Sequence, residues 1–529
     1  MVLSIGEAAL NPQGGTNPQG GPAGAGASTA IAAGGTVPEV AFPRLTLRQK
    51  ALISVGNAVD GVSTAALGNF QFFYLTVVCG LSGSLAGASV FIALTVDAFA
   101  DPLIGSLSDN WASPHGRRHP IMIASILPVA LSIGLFFSVP AHLSAWGTFA
   151  YVTAVLLLHR IAYSVFTVPY QGMVAEISHD YVERSVLRVY GAIATSASAI
   201  LCLWLGYRVF LGGSSGLMRR GAYIPFGWAS AIIIALCASA CCFGTLKLRK
   251  RMLNAVKSSH SLIPRLGRET VEIFKNQSFR VIFFTALVWF IASGIFGALW
   301  LHAAKFFWHL PTNVIQAVGI GLPAGSALGI PVAALLVSRV EKRTVLCGAL
   351  IFFVSYYLLL TPLRMLGILP ANGPILYTVL IGASLLNGVA VICAGIFFWS
   401  MIGDATDEHE LRFGARREGL YSAGMTFSAK ASLGAGTLIG GVLLDLIHFP
   451  HDAATLSTVA LSREQINGLG LIVGPFIGLL LAGSIYVVWQ YKLDRRTHAR
   501  VVAELGEVRK ARAAAAAGAQ TADEHGLQS

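Results

Sequence analysis

The stretch Asp97-Ala98-Phe99-Ala100-Asp101-Pro102 decides how this chain folds, because it places two carboxylates inside the otherwise apolar segment Ala88–Leu107. On a helix, residues four apart lie one turn apart on the same face. An ionisable side chain at membrane depth costs about 2.5–3.5 kcal/mol on insertion scales. The pair therefore predicts a cation site within a membrane-spanning helix, where an ion or a basic side chain offsets the two charges. A helix end near water, where Asp is readily hydrated, stays open as the alternative.

The composition of the whole chain indicates a protein that crosses the bilayer many times. Its 529 residues are 55% hydrophobic and 12% charged, and their mean hydropathy is +0.67. Soluble domains carry about 25% charged residues. The formal net charge is +12, but Lys and Arg fall in short segments between apolar stretches, which argues against nucleic acid as a partner. The seven cysteines show no metal-ligand spacing, so we expect neither a structural disulfide nor a metal cluster.

Twelve apolar segments long enough to span a bilayer follow one another along the chain. Their approximate limits are 49–79, 85–107, 120–140, 147–177, 187–211, 223–247, 279–309, 314–338, 344–363, 374–403, 418–447 and 467–491. The pattern predicts an all-α membrane protein with 12 transmembrane helices in two six-helix bundles. The expected parts are a disordered cytoplasmic tail (1–43), an N-terminal six-helix bundle (44–248), a basic cytoplasmic linker (249–278), a C-terminal six-helix bundle (279–492) and a cytoplasmic tail (493–529).

The distribution of basic residues predicts the orientation in the membrane. If both termini and every even-to-odd loop lie inside, 29 of the 37 Lys and Arg residues are cytoplasmic. The opposite loops hold only Arg219, Arg220, Arg364 and Arg463. Cytoplasmic loops carry an excess of Lys and Arg in membrane proteins. We therefore expect a multi-pass protein of the plasma (inner) membrane with both termini in the cytoplasm. We also expect it to act as a monomer on a small-molecule substrate.

Further polar side chains lie within the apolar segments, where they usually face a bundle interior and pair with one another. The first span contains Asn57 and Asp60, the fourth contains Arg160, Ser164 and Thr167, and the eleventh contains Thr426 and Lys430. Arg160, Ser164 and Thr167 follow an i, i+4, i+7 spacing and share a helix face. Structural alternatives stay open: Arg160 as a fixed packing partner of an Asp in the second span, Lys430 reaching to the membrane surface, and Asp60 at the cytoplasmic mouth.

Charged residues in two loops predict contacts that latch the cytoplasmic helix ends. Asp109, Arg117 and Arg118 lie between the second and third spans, and Asp404 and Asp407 end the tenth. Carboxylates and guanidinium groups form strong charge-assisted hydrogen bonds. We expect these residues to act in gating. The alternative is a solvated loop.

These residues together resemble a known family, the glycoside–pentoside–hexuronide:cation symporters of the major facilitator superfamily. The resemblance covers about residues 45–492. It rests on the segment from Asp97 to Gly105 with Gly116-Arg-Arg-His-Pro120, on Val168-Pro169-Tyr170 followed by Glu183-Arg184, and on Asp404-Ala-Thr-Asp407 leading to Lys430.

The resemblance implies roles for individual residues. Asp97 and Asp101 would hold the coupling Na⁺, Li⁺ or H⁺, and Lys430 matches the lysine of the family's eleventh span. Thr426 lies one turn before Lys430, and Asp60 matches an aspartate that hydrogen-bonds sugar hydroxyls.

Two positions depart from the family pattern. Thr167 replaces a carboxylate of the fourth span, although Ser164 keeps a hydroxyl there. Ala192 replaces a sugar-binding arginine of the fifth span, for which Arg188 or Arg160 would substitute. Losing a carboxylate favours H⁺ over Na⁺ as the coupling ion, and no cofactor or other metal is implied.

The expected function is cation-coupled symport of a sugar or glycoside by alternating access. Transport of a lysophospholipid or another amphipathic metabolite is the first alternative. A membrane-embedded enzyme or scaffold is less well supported, because the sequence offers no Ser/His/Asp grouping, His-x-x-His pair or phosphate loop at a membrane edge. We therefore do not expect an enzyme.

Overall fold

The fold is taken from a computed structural model, which describes residues 44–526 apart from 112, 114–115, 179, 214, 252–271, 454–455 and 457–459. The predicted tail 1–43 and most of the predicted linker 249–278 lie outside the described residues. Within them, the chain consists of helices joined by loops.

The first half of the chain forms the helices that we number α1 to α6. Helix α1 is a run of four helical segments, Leu47–Ser54, Val55–Asn57, Ala58–Phe73 and Tyr74–Val78. The others are α2 (Gly83–Asn110), α3 (His119–Phe136), α4 (Ala145–Glu176), α5 (Tyr181–Trp204, continued by a π-helical segment at Leu205–Phe210) and α6 (Arg220–Thr245).

The second half forms helices α7 to α12. They are α7 (Gln277–His302, continued by a π-helical segment at Ala303–Phe307), α8 (Thr312–Arg339), α9 (Lys342–Met365), α10 (Pro374–Phe413), α11 (Glu418–Leu446) and α12 (Arg463–Leu471, Ile472–Phe476 and Ile477–Trp489). A further helix, α13 (Arg495–Gly526), occupies the predicted tail 493–529. It packs against α10, where Arg509 pairs with Glu410 at 2.6 Å.

Eleven helices of the described residues are long and apolar enough to cross a membrane. The predicted first span is also helical, but a 3₁₀ turn at Val55–Asn57 and a π-helical segment divide it into shorter pieces. Thr195 Oγ1 donates to the Asn57 carbonyl at 3.3 Å. A side chain from another helix that hydrogen-bonds to a backbone carbonyl in this way interrupts the regular hydrogen-bond pattern of the helix.

The ends of α1 and α7 repeat one hydrogen-bond pattern. The N–H of Cys79 donates to the Tyr74 carbonyl at 2.9 Å, and that of Trp308 donates to the Ala303 carbonyl at 2.8 Å. Two residues further on, the N–H of Leu81 donates to Leu75, and that of Leu310 donates to Ala304. The two halves of the chain therefore share the same local hydrogen-bond pattern at corresponding helix ends.

Helix packing confirms the predicted fold class of two six-helix bundles. In the first half, α3 packs against α4 and α6, and α1 packs against α5 and α6. In the second half, α7 packs against α11 and α12, and α10 packs against α8 and α9. The halves meet where α2 packs along α11, α1 along α7 and α5 along α8.

We call the face at which α1 begins and α12 ends the terminal side, and the opposite face the distal side. On the distal side, α2 and α11 approach so closely that a Cβ on Gly441 would lie 2.0 Å from the Gly83 carbonyl oxygen. Small residues allow this approach of helix backbones in membranes.

Replacing Gly441 tests this contact. The Gly441→Ala protein should unfold at a lower temperature than wild type, because overpacking a close contact costs about 1–3 kcal/mol. Gly382→Ala in α10 is the matched control, since a Cβ there meets nothing within 4 Å. Thermal unfolding of both proteins in one detergent makes the measurement. Equal midpoints for Gly441→Ala and wild type would contradict the close approach.

Candidate functional site

Lys430 on α11 lies between the two carboxylates of α2. Its Nζ is 2.8 Å from Asp97 Oδ2 and 2.6 Å from Asp101 Oδ2. The Asp97 side chain is 1% exposed, whereas those of Asp101 and Lys430 are about one-fifth exposed, at 23% and 22%. The lysine of the second half therefore bridges the paired aspartates of the first half at the seam between them.

Ser164 on α4 bridges the same two carboxylates from the other side. Its Oγ lies 2.7 Å from Asp97 Oδ1 and 2.6 Å from Asp101 Oδ1. A serine hydroxyl carries one hydrogen, so it can donate to only one of these oxygens at a time. The second short contact between oxygens is favourable only if another proton lies between them.

The charges of this group do not balance when all three residues are ionised. Two carboxylates and one ammonium leave one negative charge in a largely buried place. Unpaired charge is costly in such surroundings. The group can therefore hold one further monovalent cation, either a proton or an ion with oxygen ligands.

The two threonines predicted as ion ligands bond to their own helices. Thr167 Oγ1 donates to the Tyr163 carbonyl at 2.9 Å. Thr426 Oγ1 donates to the Ser422 carbonyl at 3.0 Å, at an exposed position. Both hydroxyls keep acceptor lone pairs, but their bonds lie within the helices rather than at the carboxylates.

Three of the four predicted substrate residues lie in three different environments outside the cavity described next. Asp60 Oδ1 accepts a hydrogen bond from the Tyr163 hydroxyl and another from Thr64 at 3.3 Å. Asn57 Nδ2 donates to the Tyr170 hydroxyl at 2.6 Å, in the packing between α1 and α4. Arg188 lies exposed on α5.

A cavity of about 210 Å³ lies between the halves, lined by α1, α2, α4, α7 and α11. Arg160, the fourth predicted substrate residue, lines it together with Tyr163. Three buried polar atoms on its walls have no hydrogen-bond partner among the described residues, namely Arg160 Nε, Ser63 Oγ and Gln71 Nε2. Buried polar groups are normally satisfied, so these atoms leave unused hydrogen-bonding capacity on the walls of this cavity, which we call the central cavity.

Sequence reasoning missed Gln71 and Ser63. A neutral polar residue costs less in an apolar span than a charge, and it therefore gives a weaker signal. The signal was nevertheless present, because Asp60, Thr64 and Gln71 are spaced 4 and 7 residues apart and so share one face of α1.

The predicted gating residues on the terminal side of the first half pair with one another. Arg118 contacts Asp109 at 3.2 Å and Glu176 at 2.7 Å, and Arg117 also pairs with Glu176. Glu176 had not been predicted. All four residues belong to the first half, so these bonds join α2, α4 and the loop before α3.

The second half forms an analogous group on the same side. Asp404 pairs with Lys342 at 2.6 Å, and Asp407 pairs with Arg416 at 3.0 Å. His498 at the start of α13 lies within 3.4 Å of Asp404 and 3.3 Å of Asp407. Lys342 and His498 had not been predicted. These contacts also stay within one half of the chain.

Besides the Lys430 contact, further bonds between the halves in the described residues lie on the distal side. Asp445 at the end of α11 accepts from the backbone N–H groups of Gly83 and Ser84 at 2.7 and 2.8 Å. A carboxylate at a helix N-terminus is favourably placed. His451 Nε2 is 2.9 Å from the same carboxylate; burial lowers the pKa of this imidazole, and the neighbouring Asp445 opposes that shift.

Comparison with known proteins is consistent with this architecture. The family model described as "MFS/sugar transport protein" matches residues 52–495. A putative glycoside/cation symporter of Escherichia coli, YagG, is 24% identical over 89% of this chain and 96% of its own length. The isoprimeverose transporter of Lactiplantibacillus pentosus is 22% identical over 84% of this chain and 88% of its own.

Two further proteins are similar to this chain. One is named for a lipid substrate, and the other has a lower sequence identity. The sodium-dependent lysophosphatidylcholine symporter 1-A of Danio rerio is 22% identical over 85% of this chain and 86% of its own. The crystal structure of a D-xylose-proton symporter superposes with a TM-score of 0.56 at 14% identity, covering 84% of this chain and 97% of that one. The second similarity supports the fold alone. The match over residues 52–495 shows that the chain belongs to the MFS/sugar transport protein family, as its resemblance to the glycoside–pentoside–hexuronide:cation symporters predicted.

Proposed function

We propose that this secondary transporter couples a sugar or glycoside to a cation bound at Asp97 and Asp101, with Lys430 as the exchangeable internal counter-ion. The observation that carries the proposal is the position of the Lys430 ammonium, 2.8 and 2.6 Å from the two carboxylates. Its helix belongs to the opposite half of the chain. A cation that replaces the ammonium therefore breaks an ionic link between the halves.

The coupling follows from this exchange. Without a cation, Lys430 neutralises one carboxylate of α2. A bound cation frees the lysine, and the halves reorient either when both ligands are bound or when both sites are empty. A carrier that binds only one of its two ligands keeps an uncompensated charge, which disfavours the reorientation. Linkage of this kind needs a coupling free energy of about 1–3 kcal/mol between the two ligands.

The central cavity is the proposed sugar site, because it shares three helices with the ion site. Leu94 and Leu433 of the cavity lie three residues from Asp97 and Lys430, and Tyr163 is next to Ser164. Movement of α2, α4 or α11 at one site is therefore transmitted to the other. Sugar hydroxyls both donate and accept, which matches the unpaired polar atoms of the cavity wall. Asp60 does not line the cavity and is linked to it through the hydroxyl of Tyr163, which does.

The geometry favours the proton over Na⁺ as the coupling ion. Once Lys430 has left, one proton and the Ser164 hydroxyl, which lies close to one oxygen of each aspartate, are enough to join the two carboxylates by hydrogen bonds. Hard metal cations prefer several oxygen ligands. Thr167 and Thr426 direct their hydroxyl hydrogens to carbonyls of their own helices. A set of oxygen ligands around Na⁺ that included these two hydroxyls would require both side chains to rearrange.

The second candidate cargo is a lysophospholipid, which the named substrate of the Danio rerio relative brings into consideration. The central cavity, at about 210 Å³, is smaller than the roughly 300–1,000 Å³ of sites for drug-sized ligands. It is therefore better suited to a sugar ring than to a long acyl chain.

We also propose an inner-membrane location, cytoplasmic termini and function as a monomer. The distribution of Lys and Arg supports the position of the termini.

The Asp97→Asn protein should lose accumulation of sugar against its gradient while keeping exchange of sugar across the membrane. The amide cannot carry the coupling charge, whereas the central cavity remains. Purified protein in lipid vesicles, given a panel of pentoses, hexoses and disaccharides, provides both measurements under a pH gradient or a Na⁺ gradient. The exposed Glu464→Gln variant is the control for loss of a carboxylate. Normal accumulation of sugar by the Asp97→Asn protein would contradict a role of Asp97 in coupling.

The Ser164→Ala protein should need a higher concentration of the coupling ion for half-maximal transport. With the ion bound, the Ser164 hydroxyl can bond to both aspartates, and without the ion it can donate to only one. Its loss therefore weakens ion binding by about one hydrogen bond to a charged group, about 1.5–3 kcal/mol, and the half-maximal concentration should rise roughly tenfold or more. Ser164→Thr keeps the hydroxyl and is the control. The dependence on pH and on Na⁺ is measured separately for each protein. An unchanged ion dependence in Ser164→Ala would remove Ser164 from the ion site.

A further inference from the structure

A cleft of about 780 Å³ opens on the distal side, between helix ends of both halves. The first half contributes Arg208, from the π-helical segment that continues α5. The second half contributes Lys305, from the π-helical segment that continues α7, and His309 from the turn that follows. The cleft shares no lining residue with the central cavity. We call it the distal cleft.

The distal cleft collects positive charge on a side of the molecule where positive charge is scarce. Non-cytoplasmic loops are poor in Lys and Arg, and the distal loops of the predicted topology hold only four of the 37 such residues. Arg208 and Lys305 nevertheless line one cleft, and none of its described lining residues is an Asp or a Glu. Cations from both halves therefore face a space to which an anion would be attracted.

The N-terminus of α8 opens onto the same cleft. Pro311, Thr312 and Asn313 line it, and the N-cap residue Pro311 gives the first turn no side-chain hydrogen bond. The first N–H groups of an α-helix lack partners within the helix and carry partial positive charge. Helix N-termini bind phosphate groups for this reason. The 28-residue helix α8 thus adds to the attraction that the two cationic side chains exert.

A hydrogen bond between the halves holds one wall of the distal cleft. Thr312 Oγ1 donates to the Gly213 carbonyl at 3.0 Å, and both residues line the cleft. Gly213 has a φ of 85°, in the left-handed region that favours glycine. This contact keeps the end of α5 close to the start of α8, so that one ligand can reach groups of both halves.

Phosphate is the anion that these groups match best. A guanidinium can bind two oxygens of one phosphate side by side, and an ammonium binds a further oxygen as a point charge. Backbone N–H groups at a helix N-terminus can bind the remaining oxygen. The cleft lies at the ends of membrane-spanning helices, where lipid headgroups also lie. Free phosphate and the phosphate of a lipid headgroup therefore offer the same chemistry here.

We propose that the distal cleft binds a phosphate group between Arg208 of the first half and Lys305 of the second. The phosphate comes either from inorganic phosphate or from the headgroup of an anionic phospholipid. Once bound, it joins the halves on the side where Asp445 and His302 already join them, and it favours closure of that side. The inference assumes neither the sugar site nor the coupling ion.

Equilibrium dialysis of the purified full-length protein with radiolabelled orthophosphate tests the free anion, with chloride keeping the ionic strength constant. Wild type should bind orthophosphate. Arg208→Gln and Lys305→Gln should each weaken binding at least about tenfold, because each removes charge-assisted hydrogen bonds. Arg463→Gln is the matched control, since Arg463 lies at the distal start of α12 and does not line the cleft. It should bind as wild type does.

A second variant guards against a loss of binding that is caused by misfolding. Asn313→Asp places a carboxylate in the first turn of α8, where a negative charge stabilises a helix. The protein should therefore fold, yet its binding of orthophosphate should also weaken at least about tenfold, because the carboxylate repels the anion. Asn313→Gln keeps a neutral amide and is its control. Unchanged binding in Asn313→Asp would contradict the position of the site.

Vesicles made of equal amounts of phosphatidylcholine and phosphatidylglycerol test the lipid source. After extraction in detergent, mass spectrometry measures the phosphatidylglycerol that each protein retains. If the lipid is the ligand, wild type and Arg463→Gln should retain more of it than Arg208→Gln and Lys305→Gln do. Retention that does not depend on Arg208, together with binding of orthophosphate that does, assigns the cleft to the free anion.

Three results would overturn the inference. They are the absence of binding of both orthophosphate and phosphatidylglycerol by wild type, binding that is unchanged in Arg208→Gln or in Lys305→Gln, and an equal loss in Arg463→Gln. The second result would show that the ligand is not held between the halves. None of these results bears on sugar transport, so the proposed function stands or fails separately.

Discussion

The contact between Lys430 and the paired aspartates is the interaction on which the account depends. Lys430 comes from α11 and the aspartates from α2, so one ammonium joins the two halves of the chain through two carboxylates. Desolvation makes buried ion pairs poor contributors to stability. A buried group that also lacks one positive charge is better explained as an exchangeable site than as packing. In the proposed function, this ionic link joins the halves until a cation replaces the ammonium.

The two sides of the molecule are held differently. On the distal side, Asp445 binds the start of α2, and a buried hydrogen bond of 2.8 Å joins Thr76 to His302 between α1 and α7. On the terminal side, the ion pairs around Arg118 and Asp404 stay within their own halves. Bistable interfaces of this kind allow rigid bodies to rearrange. In this structure the two halves are therefore joined on the distal side. On the terminal side, each half is held together by its own ion pairs.

Much of the site could be predicted from sequence because its charges are costly in a membrane. Asp97, Asp101 and Lys430 stand out in apolar segments, and their pairing follows from that cost. Ser164 could be found from its spacing to Arg160. Gln71 gave only the weaker signal of its spacing to Asp60 and Thr64 on one face of α1, and the partners Lys342 and His498 come from segments far apart in the chain. The 3₁₀ turn at Val55–Asn57 depends on tertiary hydrogen bonds and left no clear local signal.

The most direct test is a structure determined with the transported sugar and a saturating concentration of the coupling cation. The quantity to measure is the distance from Lys430 Nζ to the carboxylate oxygens of Asp97 and Asp101. The account predicts that the ammonium has left hydrogen-bonding distance of both carboxylates, with the cation in its place. A lysine still bonded to both aspartates in the fully loaded carrier would contradict it.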